Sequence, residues 1–322
     1  MKVLIADDDD VLRHILQSHL TKWGYEVIEA QNGLEAWRLL HGNEAPRLAV
    51  LDWIMPGMDG VEVCKEIRKR EDHPYIYLLL LTAKQKKEDV IAGMEAGADD
   101  YIAKPFEPQE LKVRLRAGRR ILDLQAELLS ARETLRYQAT HDCLTGLLNR
   151  SATIEALRNE LDRASRQGSP VCLMLGDVDH FKSINDSYGH TVGDAVLCEA
   201  AQRMRSSLRT YDSVGRYGGE EFLFVLPGCD VQNARAQAER LLAAITSRPV
   251  ELPRVAISFT LSIGVVVKYN VSVDDLESLI QAADAALYTA KMHGRNRVVL
   301  SGSCESPLKA IQQAAAVFQP RA

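Results

Sequence analysis

Five short apolar runs, each followed by a stretch of helical period, occupy the first hundred residues of this 322-residue chain. That alternation restricts the amino-terminal part to a parallel α/β sheet. The runs are Val3 to Ala6, Tyr25 to Glu29, Leu48 to Leu51, Ile76 to Leu81 and Tyr101 to Ala103. Five βα units between Lys2 and Phe106 predict a doubly wound five-stranded sheet, whose functional crevice opens at the carboxyl ends of the strands. The residues placed there are polar: Asp7 and Asp8 after the first run, Asp52 after the third, Thr82 after the fourth, and Lys104 with Pro105 after the fifth. Three converging carboxylates repel one another unless a cation neutralises them, and hard oxygen donors suit Mg²⁺ or Mn²⁺. The pattern points to a metal-assisted phosphoryl acceptor. Asp9 and Asp10 read instead as an acidic cap on the following helix, where carboxylates complement the helix dipole.

Through ADDDD, LDWIMPGMDG, LLLLTA and YIAKPF the segment resembles the response-regulator receiver family. The resemblance implies Asp52 as the phosphoryl acceptor, Asp7 and Asp8 as acidic residues of the metal site, and the Trp53 carbonyl as a further ligand. Thr82 and Lys104 would read the phosphoryl group, and Tyr101 would be the aromatic that turns inward in response. A cognate sensor histidine kinase is the implied phosphodonor.

The length suits two domains at about 150 residues each. With 46% hydrophobic and 26% charged residues, both can bury a core as ordinary globular proteins do. The balance of 39 basic against 44 acidic residues, −5, lacks the footprint of a nucleic-acid binder. Six scattered cysteines with no C-x-x-C pair argue against a zinc site or disulfide framework. The longest apolar run, Tyr75 to Leu81, falls far short of the roughly 18 residues a membrane helix needs. A cytoplasmic protein without membrane or nucleic-acid partners is the expectation.

From Pro108 to about Tyr137 the composition predicts one long helix. Ile121, Leu124, Leu128, Ala131 and Leu135 follow the 3-4-3-4 spacing of a coiled-coil seam, which suggests a parallel homodimer stalk over residues 108–139. The alternative is a helix packed on its own domain. Lys112, Arg114, Arg116, Arg119 and Arg120 read as a solvated helix surface.

From Thr140 a different α/β pattern begins, with strands at Val171 to Asp177, Val214 to Tyr217, Glu221 to Leu226, Val255 to Val267 and Arg297 to Leu300. The order βααββαβαβ contains adjacent antiparallel strands, hence a mixed, ferredoxin-like sheet over residues 140–301, with a tail at 302–322 of no identified chemistry. In GDVDHFKSINDSYGH, Asp177 and Asp179 lie with Lys182 and Asn185 near one strand exit. In RYGGEEF, Gly218 and Gly219 mark a tight hairpin in which glycine permits positive φ and close approach of a ligand. Glu220 would then face Asp177 as a two-carboxylate metal site. KMHGRNR supplies Lys291 and Arg295, cations suited to phosphate oxygens. Together these describe a nucleoside-triphosphate site.

The second part resembles the diguanylate cyclase family, whose GGDEF signature stands here as GGEEF, with DCLTGLLNR matching the family's opening. Glutamate at 220 is one methylene longer than aspartate and still a hard ligand. The resemblance implies a fold of the nucleotidyl-cyclase kind. Asp177, the Val178 carbonyl and Glu220 would hold Mg²⁺, with Glu221 beside them. Asn185 and Asp194 would read guanine, and Lys182, Lys291 and Arg295 would contact phosphates near Phe181. The implied reaction condenses two GTP into cyclic di-GMP and two pyrophosphates across a homodimer, under receiver control. Arg209 and Asp212, with Arg240 on the next helix, stand where the family has a product-binding inhibitory site; a surface ion pair would explain them too. The competing class is a non-enzymatic cyclic di-GMP receptor or a phosphorylation-driven scaffold.

Overall fold

A computed structural model describes residues 1–42, 44–69, 74–83, 87–253 and 255–302. The tail expected at 302–322 lies, apart from Gly302, outside the described residues. The chain divides into two compact units, residues 1–133 and 134–322.

In the first unit, strands β1 (Lys2–Ala6), β2 (Glu26–Ala30), β3 (Leu48–Asp52), β4 (Tyr77–Thr82) and β5 (Asp100–Ala103) alternate with helices α1 (Asp10–Lys22), α2 (Gly33–His41), α3 (Gly60–Arg68) and α4 (Lys87–Glu95). The strands are all parallel in the order β2-β1-β3-β4-β5. The apolar runs are continuous because both faces are covered. Leu4, Ala49, Leu51, Leu78 and Leu80 enter one core, while Val3, Ile5, Leu48, Val50, Leu79 and Leu81 enter the other. Asp9 caps α1 as its position suggested, accepting from the Val11 and Leu12 N–H groups at 2.8 and 3.3 Å.

Helix α5 runs from Pro108 to Thr140 without a break. Its first half buries Leu111, Leu115, Gly118 and Leu122. Glycine is required at 118, since a Cβ there would lie 2.5 Å from the Tyr77 ring. The seam residues beyond it are exposed: Ile121 47%, Leu124 54%, Leu128 69% and Leu135 65%.

The second unit contains α6 (Arg150–Gln167), β6 (Val171–Val178), α7 (Phe181–Tyr188), α8 (His190–Ser207), β7 (Ser213–Arg216), β8 (Glu221–Pro227), α9 (Val231–Thr246), β9 (Val250–Leu252), β10 (Val255–Ile257), β11 (Leu261–Lys268), α10 (Leu276–Met292) and β12 (Val298–Leu300). Its sheet is mixed, in the order β12-β11-β6-β8-β7, with only the β11–β12 pair parallel. The single strand expected from Val255 to Val267 is two strands in different sheets. β10 pairs with β9 in a separate hairpin, and the chain breaks at 258–260 before β11 joins the main sheet. The break has a partner to satisfy: the Thr260 carbonyl accepts the Asp179 N–H at 3.0 Å and the Thr260 hydroxyl donates to the Asp179 carboxylate.

Strand parity decides which side carries the chemistry. Cys172, Met174 and Val178 of β6 face one core; Val171, Leu173 and Leu175 face the other, so Asp177 shares the face on which α10 lies. Helix α10 sits directly on β11: a Cβ at Gly264 would meet the Ala283 carbonyl at 2.1 Å and the Leu287 nitrogen at 2.3 Å. Leu279, Ala283 and Leu287 on α10 are buried at i, i+4 and i+8, and the next step of that row is Lys291.

Among the described residues, no helix is long and apolar enough to cross a membrane.

Candidate functional site

The parallel sheet of the first unit places its acids as the strand ends require. Ligand oxygens of Asp7, Asp8 and Asp52 lie within 4.8 Å of one another. Asp7 and Asp52 are buried and Asp8 is exposed, so the cluster opens to solvent on one side. Lys104 Nζ bridges the buried pair, 2.6 Å from Asp52 Oδ1 and 2.8 Å from Asp7 Oδ2. Burial pushes the Asp52 carboxyl above its usual range, the Lys104 bond opposes it, and the neighbouring Asp7 charge adds to the rise. For Lys104, burial would favour the neutral amine, but its bonds to Asp52 and Asp7 outweigh that and hold the ammonium above its ordinary value. A single ammonium leaves three carboxylates under-neutralised, and the oxygen set fits a hard divalent cation. The Trp53 carbonyl, expected as a further ligand, accepts the Gly60 N–H at 2.9 Å. Thr82 is fully buried at the end of β4, and Tyr101 is half-buried against the core. Sequence reasoning missed Arg13, which is buried and donates to the Asp7 carbonyl at 2.7 Å.

In the second unit the exit of β6 gathers the residues of all three motifs. Asp177 is 5% exposed, and Lys291 Nζ lies 2.8 Å from its Oδ2. Burial raises the Asp177 carboxyl, Lys291 pulls it down, the Asp179 charge raises it and Arg295 lowers it. Glu220 is raised by burial and then by Asp177, with Lys291 opposing and Glu221 adding. The charge of Asp177 raises Glu220 even with Lys291 beside them, so the carboxylates here are under-neutralised by lysine alone, and these donors also fit Mg²⁺ or Mn²⁺.

Two expectations about the signature need correction. The residue opposite Asp177 in register is Glu221, not Glu220, because β8 begins at 221 and Glu220 belongs to the turn, its carbonyl accepting the Val178 N–H at 3.2 Å. Neither Gly218 nor Gly219 has positive φ. Glycine serves space there: a Cβ at 218 would lie 2.6 Å from Glu221 Oε2, and at 219 no atom lies within 4 Å of that position. The turn is bare on its outer side, as close approach of a ligand requires.

Helix α7 starts three residues after β6 and carries Phe181, buried, and Lys182, exposed. Asn185 on the same helix has a buried Oδ1 with no partner. That oxygen packs against Gly193, where a Cβ would fall 1.9 Å from it. An orphaned buried acceptor is costly, and a donor from a ligand would satisfy it. Asp194, one residue beyond Gly193 on α8, is exposed.

Asp179 does not join the carboxylate pair as a ligand. It is 4% exposed and accepts from Thr260 Oγ1 at 2.7 Å, Ser262 Oγ at 2.7 Å and the Asn296 N–H at 3.0 Å. It thereby ties the exit of β6 to the turn carrying Arg295, whose own φ is +61°.

Arg209 and Asp212 share the loop before β7: the Arg209 N–H donates to Asp212 Oδ2 at 3.0 Å, and its guanidinium donates to the Tyr211 hydroxyl at 2.9 Å. Both line a cavity of about 430 Å³ with His141, Leu148, Arg205 and Thr210. Arg240 is exposed on α9 and is not among its lining residues; its guanidinium donates to Gln237, which in turn donates to the Ser207 carbonyl.

Comparison with known proteins agrees with this geometry. Residues 3–116 match the response regulator receiver domain, and residues 139–297 match the diguanylate cyclase GGDEF domain. The chain is 32% identical over 303 residues to the response regulator PleD of Caulobacter vibrioides, covering 92% of this chain and 65% of PleD. It is 39% identical over 181 residues to the diguanylate cyclase DosC of Escherichia coli, covering 56% of this chain and 38% of that protein. The chain therefore spans less than two thirds of the length of these relatives. The crystal structure of the coiled coil and GGDEF domain of DgcB from Caulobacter crescentus, in complex with c-di-GMP, is 30% identical, with a TM-score of 0.52 over 59% of this chain and 98% of that one.

Proposed function

Because this chain belongs to the family that joins a response regulator receiver domain to a GGDEF domain, we propose that it is a phosphorylation-controlled diguanylate cyclase. The observation that carries the reading is the meeting of three separate sequence motifs at the exit of β6, where Lys291 pairs with buried Asp177 beside Glu220. The sequence partition supports it: a receiver over 1–107, a stalk over 108–139 and the cyclase domain over 140–301.

In this reaction the 3′-hydroxyl of each GTP attacks the α-phosphorus of the other. A P–O bond forms to the 3′ oxygen, the bond to pyrophosphate breaks, and the hydroxyl proton is released. Asp177, the Val178 carbonyl and Glu220 would hold Mg²⁺ or Mn²⁺, which neutralises phosphate charge when bound. Lys182, Lys291 and Arg295 are the cations for the phosphate oxygens. The orphaned Asn185 acceptor and exposed Asp194 are suited to the N–H groups of a guanine edge. The bare Gly218–Gly219 turn admits the nucleotide to the backbone.

One domain holds one GTP, so two copies must face each other. The exposed seam of Ile121, Leu124, Leu128 and Leu135 supports a homodimer through α5. Phosphorylation of Asp52 by a histidine kinase would bias that dimer, with Thr82, Tyr101 and Lys104 reading the phosphoryl group. The Arg209–Asp212 cavity is the candidate site for inhibition by product, and it is also what would favour a receptor reading if turnover is absent. A cytoplasmic location follows from this role.

The test is incubation with GTP and Mg²⁺, with and without beryllofluoride, and chromatographic quantification of cyclic di-GMP. Product that rises with the mimic is expected. Intact GTP binding with no product in either condition overturns the cyclase in favour of a receptor or scaffold.

A further inference from the structure

The segment that leaves α5 is stitched along the edge of the second sheet. Leu148 N–H donates to the Val214 carbonyl at 3.3 Å, and the Arg216 N–H donates to the Leu148 carbonyl at 2.8 Å. Single bridges join His141 to Leu148 and Leu148 to Gly215. The fit at β7 is tight, for a Cβ at Gly215 would lie 1.7 Å from Thr153 Oγ1 and 2.7 Å from the Leu148 carbonyl. Strand β7 then ends at Arg216, and the signature turn follows at once.

The Arg216 side chain reaches in both directions. One terminal nitrogen lies 3.2 and 3.3 Å from the two carboxylate oxygens of Asp142. Nε and the other terminal nitrogen donate to the Gly219 carbonyl at 3.0 and 2.7 Å. Asp142 is in turn set by the backbone just beyond α5, accepting the Thr145 N–H at 2.9 Å and its hydroxyl at 2.7 Å. The guanidinium is planar and rigid, so a shift of the carboxylate at one edge moves the donors at the other. The peptide joining Gly219 to Glu220 is planar as well, so holding that carbonyl sets the orientation of the Glu220 Cα. Among the described residues no atom lies within 4 Å of where a Gly219 Cβ would stand, and Arg216 supplies two hydrogen bonds to this part of the turn.

We propose that Arg216 is a positioning residue that carries the state of the α5 end, through Asp142, to the Gly219–Glu220 peptide. The inference rests on the cyclase reading for what the turn does, and on the hydrogen bonds alone for the relay. Misplacing reacting groups by about 1 Å costs on the order of 100-fold in rate, so a small movement of the turn is enough to switch turnover.

Two variants of the full chain test it. Arg216→Lys keeps the charge and loses the fork; Asp142→Asn keeps an acceptor for Thr145 and loses the ion pair. Arg216→Lys is expected to lower kcat about 10- to 100-fold with KM for GTP within threefold, a split that simple loss of fold would not produce. Asp142→Asn is expected to keep basal kcat within threefold while stimulation by beryllofluoride falls toward one. In both, hydrogen exchange of amides 217–221 should accelerate about tenfold, with the amides of 222–226 unchanged. Unaltered exchange at 217–221 in both variants, or undiminished stimulation in Asp142→Asn, overturns the relay. A wild-type chain that makes no cyclic di-GMP defeats the cyclase reading instead, and the exchange measurement then decides the relay by itself.

Discussion

Replacing Asp179 with alanine removes an acceptor that three separate elements depend on. Its buried carboxylate takes hydrogen bonds from Thr260, Ser262 and the Asn296 backbone. A hydrogen bond to a charged group contributes about 1.5 to 3 kcal/mol, and a buried donor left without a partner costs about 1 to 3 kcal/mol. Ser262 is fully buried and cannot turn to water. The three bonds share one carboxylate and do not add in full, so the expected loss for Asp179→Ala is about 3 to 5 kcal/mol. At 3 kcal/mol the local opening constant rises roughly 150-fold. Asp179→Asn keeps the volume but turns an amide toward one of three donors, and should lose about half as much. Native-state hydrogen exchange of the β11 amides reads the stability, and steady-state kinetics reads the consequence: the turn holding Arg295 loosens and KM for GTP rises. A change below about 0.5 kcal/mol in the β11 amides of Asp179→Ala would refute the assignment of Asp179 as a brace.

Asp52→Ala should leave basal turnover within about twofold and abolish stimulation by beryllofluoride, because the carboxylate that the mimic coordinates beside Lys104 is gone; full stimulation in that variant would sink the receiver mechanism. Leu128→Glu puts like charges across the proposed seam from a residue that is 69% exposed, and should weaken self-association at least tenfold, about 1.4 kcal/mol. Sedimentation checks this, and unchanged dimerisation would remove the stalk. The Asp142 carboxyl lies below its ordinary value of 3.8: burial would raise it, but the Thr145 bonds and Arg216 prevail. A carboxyl lowered on folding stabilises the fold above its unfolded value and loses that contribution as pH falls through the folded one. The advantage of wild type over Asp142→Asn, about 1 kcal/mol at pH 7, should therefore shrink as pH is lowered from 3.8 through the lower folded value in acid unfolding, and a gap that stays constant down to full protonation would contradict the ion pair.

The receiver strands were legible nearly to the residue because a parallel sheet covered on both faces writes its inner strands as unbroken apolar runs, and the candidate site residues stand just after the first, third, fourth and fifth of the five runs. The second unit was less so. Val255 to Val267 is apolar enough for one strand, and nothing local to Ser258 or Phe259 shows that Thr260 must break away to serve Asp179. The offset between Glu220 and Glu221 was hidden for the same reason, since register depends on where β8 meets β6. Arg216 and Asp142 both stood inside quoted motifs, RYGGEEF and DCLTGLLNR, but their pairing spans 74 residues.

The sequence by itself determined the chemistry at the strand exits: which positions carry carboxylates, cations and bare glycines, because such residues are tolerated there only by purpose or by solvent. Tertiary structure alone decided their alliances. Asp177 pairs with Lys291 because Gly264 lets α10 settle on β11 and turn its fourth inward position over the exit of β6. Asp179, two residues on, is consumed as a brace, and the Asn185 acceptor is left waiting. Those outcomes depend on interatomic distances between elements far apart in the chain, and distance is what a one-dimensional pattern does not hold.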